Sequence, residues 1–259
     1  MDTRSPLTPA PVGAPASKRE RTRELLADTA LQMFRERGYE ATTMRAIAQA
    51  AGVSTGNAYY HFEGKEAFVQ ELYRRIQREH LIRVRAGGPQ SRTLAENLRV
   101  VLHTGVAVMA PYHAFGATLL GTALRTGSPS SPFSASSAEA RTAAVGLMRE
   151  AVAHSTNAPG GRVGERLPEL LWLAYMGVTL FWVLDTSPDR RRTALLIDGL
   201  APLMGRLVGL TRVPGGRKLA HDAIDLLDRI HADPVEATEP AEPPEPEQPA
   251  EPAEPQDRR

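Results

Sequence analysis

Apolar residues recur at helical spacing along most of the chain. Leu26, Thr29, Ala30, Met33 and Phe34 mark a first helix, which Gly38 stops. Met44, Ile47, Ala48 and Ala51 mark a short second one, and Phe68, Leu72, Tyr73 and Ile76 a longer one starting near Lys65. After a break at residues 86–91, Leu94, Leu98, Val101, Leu102, Val106 and Met109 resume the stripe. Further helices are predicted near 112–124, 137–154, 166–185, 189–210 and 217–230. No stretch alternates apolar and polar over strand length between turn residues, and no internal repeat is found. The pattern predicts an all-α protein in two folded parts, 17–85 and 91–232. Residues 1–16 are rich in Pro, and 233–259 in Pro and Glu; both are expected to be disordered.

One stretch breaks the simple amphipathic pattern. It reads TTMRAIAQAAGVSTGNAYYHF, residues 42–62. Thr42 or Thr43 can cap the Met44 helix with a side-chain oxygen. Gly52 supplies a turn that a Cβ would strain. Val53, Ser54 and Ala58 fit an apolar staple around a serine cap. Two short helices joined by a tight turn, with a longer helix before them, have the form of a helix-turn-helix. In such a motif the first turn of the second helix meets base edges in the major groove of DNA.

The small polar residues there acquire roles on that reading. Ser54, Thr55, Gly56 and Asn57 form the first turn. Gly56 lets the backbone approach the bases, and Thr55 and Asn57 can bond them. Tyr59, Tyr60 and His61 can hold phosphates, with Tyr59 open between that role and core packing. Thr43, Arg45 and Lys65 complete the candidate DNA contacts. Ala58 and Phe62 share the face expected in the core.

Composition narrows the alternatives. The chain has 259 residues and no cysteine, which excludes disulfides, thiolate metal sites and cysteine nucleophiles. Its formal charge of +1 conceals an asymmetry: between Pro234 and Arg259, seven Glu and Asp257 face two Arg. The rest is correspondingly basic, which suits an anionic partner. There is no His-Glu-x-x-His, phosphate-loop or Gly-x-Ser-x-Gly pattern, and the histidines lack ligand spacing. No catalytic group, metal or cofactor is expected. The N-terminus has no apolar stretch of signal-peptide form, and the longest apolar run, Leu170 to Leu184, falls short of about 18 residues. A cytoplasmic protein without a membrane span is expected.

Thr22 to Tyr73 resembles the DNA-binding domain of the TetR family of bacterial transcriptional regulators. The shared features are Phe34, Gly38-Tyr39, Thr43, Ile47-Ala48, Ala51 to Ser54, Tyr59-Tyr60 and Lys65. Thr55 departs from the Lys or Arg that many members carry, which leaves the operator sequence open. The resemblance implies a homodimer, a helical C-terminal domain that binds a small ligand, and repression of genes.

The second half carries two long helices, near 166–185 and 189–210, apolar around much of their circumference. Ser187 can cap the latter, with Pro188 at its first position. Such helices need burial on more than one side, which a self-complementary dimer supplies, with Val178 and Leu200 taken as points of contact. The expected DNA target is near-palindromic double-stranded DNA. Met109, Tyr112, His113, Phe115, Met148, Trp172, Tyr175, Met176 and Trp182 are the candidate lining of a pocket for a small apolar organic effector. The Ser-Pro segment RTGSPSSPFSASS is read as either a lid over a pocket or a mobile connection, the second being preferred. The competing reading is an all-α small-molecule-binding protein whose DNA domain no longer functions.

Overall fold

The computed structural model describes residues 17–87 and 92–232. The expected disordered arm and tail lie outside these residues. Among the described residues ten α-helices follow one another: α1 (Lys18–Arg37), α2 (Met44–Ala50), α3 (Thr55–His61), α4 (Lys65–Ala86), α5 (Leu94–Met109), α6 (His113–Ala123), α7 (Ala138–Ala153), α8 (Gly161–Leu184), α9 (Arg191–Leu210) and α10 (Pro214–Ala232). Among the described residues there is no β-strand, only an isolated bridge between Arg92 and Ser155.

The head is α1 to α3 with the start of α4. Ser17 opens α1 by a reciprocal cap, its hydroxyl accepting from Glu20 N and its own N–H donating to the Glu20 carboxylate at 2.7 Å. Leu26, Ala30 and Phe34 turn inward from α1 and meet Ile47 of α2, Ala58 and Phe62 at the end of α3, and Phe68 of α4, all nearly fully buried. The Phe62 and Phe68 rings stack at 4.1 Å, and Tyr39 folds back onto Phe34 at 5.0 Å. Aromatic pairs of this kind add to the burial itself.

The rest is a helical body continuous with the head's core. Leu98 and Leu102 of α5, Leu147 and Met148 of α7, and Leu171 and Tyr175 of α8 fill its centre. Phe115 of α6 stacks on Phe34 of α1 at 5.7 Å, so the two parts share apolar contact. In the segment after α6, the N–H groups of Ser128, Ser131, Ser134 and Ser137 donate to carbonyls three residues back, at 3.0 to 3.2 Å. This chain of turns gives the segment a defined path. A serine at every third position sets its corners, and its bonds go to α4.

Two boundaries differ from the sequence pattern. Helix α8 begins at Gly161, earlier than 166, and Arg162 and Arg166 in its first turns pair with Asp225 and Asp228 of α10. The turn into α9 is not a simple Ser187 cap. Asp189 and Arg190 take left-handed backbone angles, and the buried Asp185 carboxylate accepts from Ser187 N, Thr193 N and the Thr193 hydroxyl. Burial acts to raise the Asp185 pKa, but these hydrogen bonds more than offset it and hold the carboxyl well below the usual range.

The apolar-run argument also needs correcting. Leu94–Ala123, Gly161–Leu184 and Pro188–Leu210 are each long and apolar enough to cross a membrane by length and composition. Counting uninterrupted apolar residues missed the polar turns that extend these helices.

Candidate functional site

Two regions gather the candidate residues. The first is the exposed end of the head. Thr43 accepts from Ala46 N at 3.2 Å and starts α2, and Ser54 accepts from Asn57 N at 3.1 Å and starts α3. Gly52 has φ 68°, which turns the chain between them. Arg45, Ser54, Thr55, Gly56 and Asn57 are exposed side by side, and Tyr59 and Tyr60 are 51% and 67% exposed. Tyr59 is therefore outside the core, because Ala58 and Phe62 occupy the inner face of this one-sided helix.

Two candidates have additional internal partners. Lys65 donates from Nζ to the Tyr39 carbonyl at 2.8 Å and lies 4.4 Å from the Tyr39 ring centre. It ties α4 to the turn after α1 with one of its three donors. The His61 carbonyl accepts from Arg23 Nη1 at 2.9 Å. Burial, then the charges of Arg19 and Arg23, push the imidazole pKa below its ordinary value, which favours the neutral ring. Sequence reasoning missed Arg19, whose guanidinium lies 5.4 Å over the exposed Tyr60 ring. Arg19 and Arg23 sit one helical turn apart, and that spacing was the available signal.

The second region is a cavity of about 340 Å³ between α4, α6, α7, α8 and the Ser-Pro segment. Met109, Tyr112, Phe115, Trp172, Tyr175, Met176 and Trp182 line it. His113 and Met148 do not. The His113 ring is turned to the α8–α9 corner, 2.9 Å from the Trp182 carbonyl and 2.8 Å from the Arg190 guanidinium. Met148 is 1% exposed on α7, within packed core. Sequence reasoning missed the α4 wall, Leu72, Tyr73, Ile76 and Gln77; Pro132 and Phe133 of the Ser-Pro segment, weighed as a lid, also line the cavity. A helical stripe shows that a residue faces inward, not which inward faces leave a gap.

The cavity's charged lining is limited to Arg141, whose Nη1 donates to the Pro132 and Ser134 carbonyls. Tyr175 is 1% exposed, and its hydroxyl has the Met109 sulfur at 3.9 Å. Such a lining favours an apolar body with few polar groups.

The fold and these two regions define a class: an all-α helix-turn-helix protein with a cavity-bearing helical domain. Residues 26–72 match the profile of bacterial regulatory proteins of the tetR family, and residues 97–226 match the tetracyclin repressor-like C-terminal domain. The latter covers half of the chain, and the protein belongs to the TetR family of bacterial transcriptional regulators.

Among curated proteins, the transcriptional repressor KstR2 of Rhodococcus jostii is 47% identical over 68 residues, 26% of this chain and 33% of the relative. The regulator UidR of Escherichia coli is 34% identical over 64 residues, 25% of this chain and 33% of the relative. The chain thus matches about a third of the length of these relatives. A TetR regulator from Nitrosomonas europaea superposes with a TM-score of 0.55 at 20% identity, covering 70% of this chain and 96% of that one. FadR from Bacillus subtilis, solved in complex with stearoyl-CoA, superposes at 0.54 with 16% identity, covering 69% of this chain and 96% of that one. At such identities the likeness is one of fold.

Proposed function

We propose that the protein is a homodimeric, sequence-specific DNA-binding repressor that a small apolar organic ligand releases from its operator. The observation that carries this reading is the first turn of α3. Thr55, Gly56 and Asn57 are exposed, and nothing lies within 4 Å of where a Cβ would stand on Gly56. The free protein gives no packing reason for a glycine there. An approaching DNA surface does.

Direct base contact falls to Thr55 and Asn57, phosphate contact to Arg19, Arg45, Tyr59, Tyr60 and His61, and positioning to Thr43, Ser54 and Lys65. The intact exposed turn argues against a ligand-binding protein with an idle DNA domain.

The dimer reading rests on apolar surface outside the core. Leu180, Phe181 and Leu184 of α8 and Leu195, Leu203, Leu207 and Leu210 of α9 are 41% to 64% exposed. A patch of this kind on two adjacent helices marks an interface. Val178 is not part of it: at 1% exposure it belongs to the core of the single chain, and Leu200 is half-buried against that core.

The test begins with selection of bound duplexes from a random pool, which should return near-palindromic sites. Asn57→Ala should then weaken binding to the selected site by about 1–3 kcal/mol, the value of a good base contact, and leave random DNA nearly unaffected. Equal loss on both would remove Asn57 from base reading. Neutral apolar compounds, including acyl-chain alcohols, should release the selected DNA. Release by charged metabolites alone would overturn the effector class.

A further inference from the structure

We propose that the Ser-Pro segment between α6 and α7 is a lid that transmits cavity occupancy to the DNA-binding head, through the hydrogen bonds its backbone carbonyls accept from Gln70 and Tyr73 of α4. The proposal rests on the ligand-released reading above.

The lid touches both ends of the required path. On the cavity side, Phe133 meets the Trp172 ring edge-on at 5.2 Å while remaining 60% exposed. On the α4 side, Gln70 Nε2 donates to the Pro129 carbonyl at 2.7 Å and the Tyr73 hydroxyl to the Ser130 carbonyl at 2.9 Å. Ser130 is fully buried. Gln70 and Tyr73 lie within the first three turns of α4, close to the end that α3 enters.

The two sides are mechanically joined. The Ser134 hydroxyl donates to the Pro129 carbonyl at 2.9 Å, the same oxygen that Gln70 uses. Ser137 Oγ donates to the Ser131 carbonyl at 2.7 Å and lies 3.2 Å from Gln70 Oε1. Successive turns share residues, so displacing Phe133 from Trp172 shifts the Ser131–Ser134 turn and with it the Pro129 and Ser130 carbonyls.

A second contact joins cavity and head, the stack of Phe115 on Phe34. Both rings are buried, at 3% and 1% exposure, inside close-packed core. Contacts there are non-directional and survive small shifts. The lid is held by a few directional hydrogen bonds and exposes Pro129 and Phe133, so it is the wall that moves at the lowest cost. A ligand that wedges between Phe133 and Trp172 prefers the lid displaced. That differential affinity is what a coupled release requires.

The experiment uses the full chain, its selected operator and the neutral apolar fluorophore N-phenylnaphthylamine. Coupling is the ratio of DNA dissociation constants with and without saturating probe. For the unmodified chain it should be roughly 10-fold or more, inside the usual range for allosteric pairs. Gln70→Ala, outside the cavity lining, should cut it by at least about 3-fold, while probe affinity and probe-free DNA affinity each stay within about 3-fold, because coupling and binding are separable. Ser134→Ala, which leaves α4 untouched, should lower the coupling in the same direction.

Unchanged coupling in both variants would overturn the lid. So would Phe115→Leu abolishing coupling while the lid variants keep it. Loss of DNA binding in Gln70→Ala without probe would mean that the bond only holds α4 in place, and would overturn the lid. If the unmodified chain shows no coupling, the ligand-released reading fails and the lid with it. Coupling there but not altered by the variants sinks the lid alone.

Discussion

Gly56 and Ala58 stand two residues apart on α3 and are small for different reasons. Ala58 is 0% exposed and its size is set by the core; Gly56 is exposed in open space. Gly56→Ala should therefore raise the stability of the free protein by up to about 1 kcal/mol, the usual advantage of Ala over Gly in a helix. The same change should weaken operator binding, since the added methyl meets the bases. Denaturant melts and DNA titrations on one preparation check both halves; unchanged DNA affinity would remove Gly56 from the interface.

His80 gives a second residue-scale prediction. Its ring is 1% exposed on α4, with Nε2 at 2.8 Å from the Val101 carbonyl of α5 and the Tyr175 ring of α8 5.7 Å away. Burial pushes its pKa below 6.5, and the Val101 contact opposes this only in part. The unfolded chain then binds a proton that the folded chain resists. Stability conferred by His80 is present above pH 6.5 and is lost as pH falls through that value, with a slope of at most about 1.4 kcal/mol per pH unit for one group. His61 is shifted the same way. His80→Gln should flatten the fall between pH 6.5 and 5. The carboxylates Asp185, held by hydrogen bonds, and Glu71, held by arginines, have lowered pKa values and act at more acid pH.

Among the elements, α3 has only seven residues, too few to be stable alone. It persists because Ser54 caps it and Ala58 and Phe62 anchor one face. Asp is as good a cap as Ser. Ser54→Asp should keep the melting temperature while opposing DNA, by roughly the 1–4 kcal/mol that two charges 4 Å apart exchange between bulk water and a protein surface. Ser54→Ala should do the reverse and cost about 1 kcal/mol of stability. A melting temperature that drops with Asp as far as with Ala would show that the cap is not what Ser54 contributes. At this scale the sequence was informative wherever the signal is local. The caps at Thr43 and Ser54, the stop at Gly38 and the turn at Gly52 all follow from a residue and its near neighbours. The start of α8 and the entry to α9 did not: the first turns of α8 carry ion pairs to α10, and the entry to α9 is built on the buried Asp185.

For the whole molecule, the outward residues of α8 and α9 separate folding from association. Leu203→Glu adds a charge at a position 50% exposed in the single chain. It should leave the circular dichroism spectrum and cavity binding intact, give a monomer in sedimentation, and lose about 10²-fold or more of operator affinity with the second half-site. Val178→Glu, in the core, should unfold the chain instead, through an unpaired buried charge. A wild-type chain that sediments as a monomer at micromolar concentration would remove the dimer.

The sequence by itself determined the all-α class, the helix-turn-helix and the set of residues on the exposed turn of α3. Each depends on periodicity, caps and turns, which act over a few residues. It also marked seven of the residues that line the cavity, because large apolar side chains face inward wherever they fall on a stripe. Tertiary structure alone decided which inward positions pack tightly and which leave a gap. That choice excluded Met148 and His113, added the α4 wall, turned Lys65 onto Tyr39 and folded the Ser-Pro segment against α4. These outcomes depend on side chains from helices distant in sequence meeting at one place, and no local spacing encodes that.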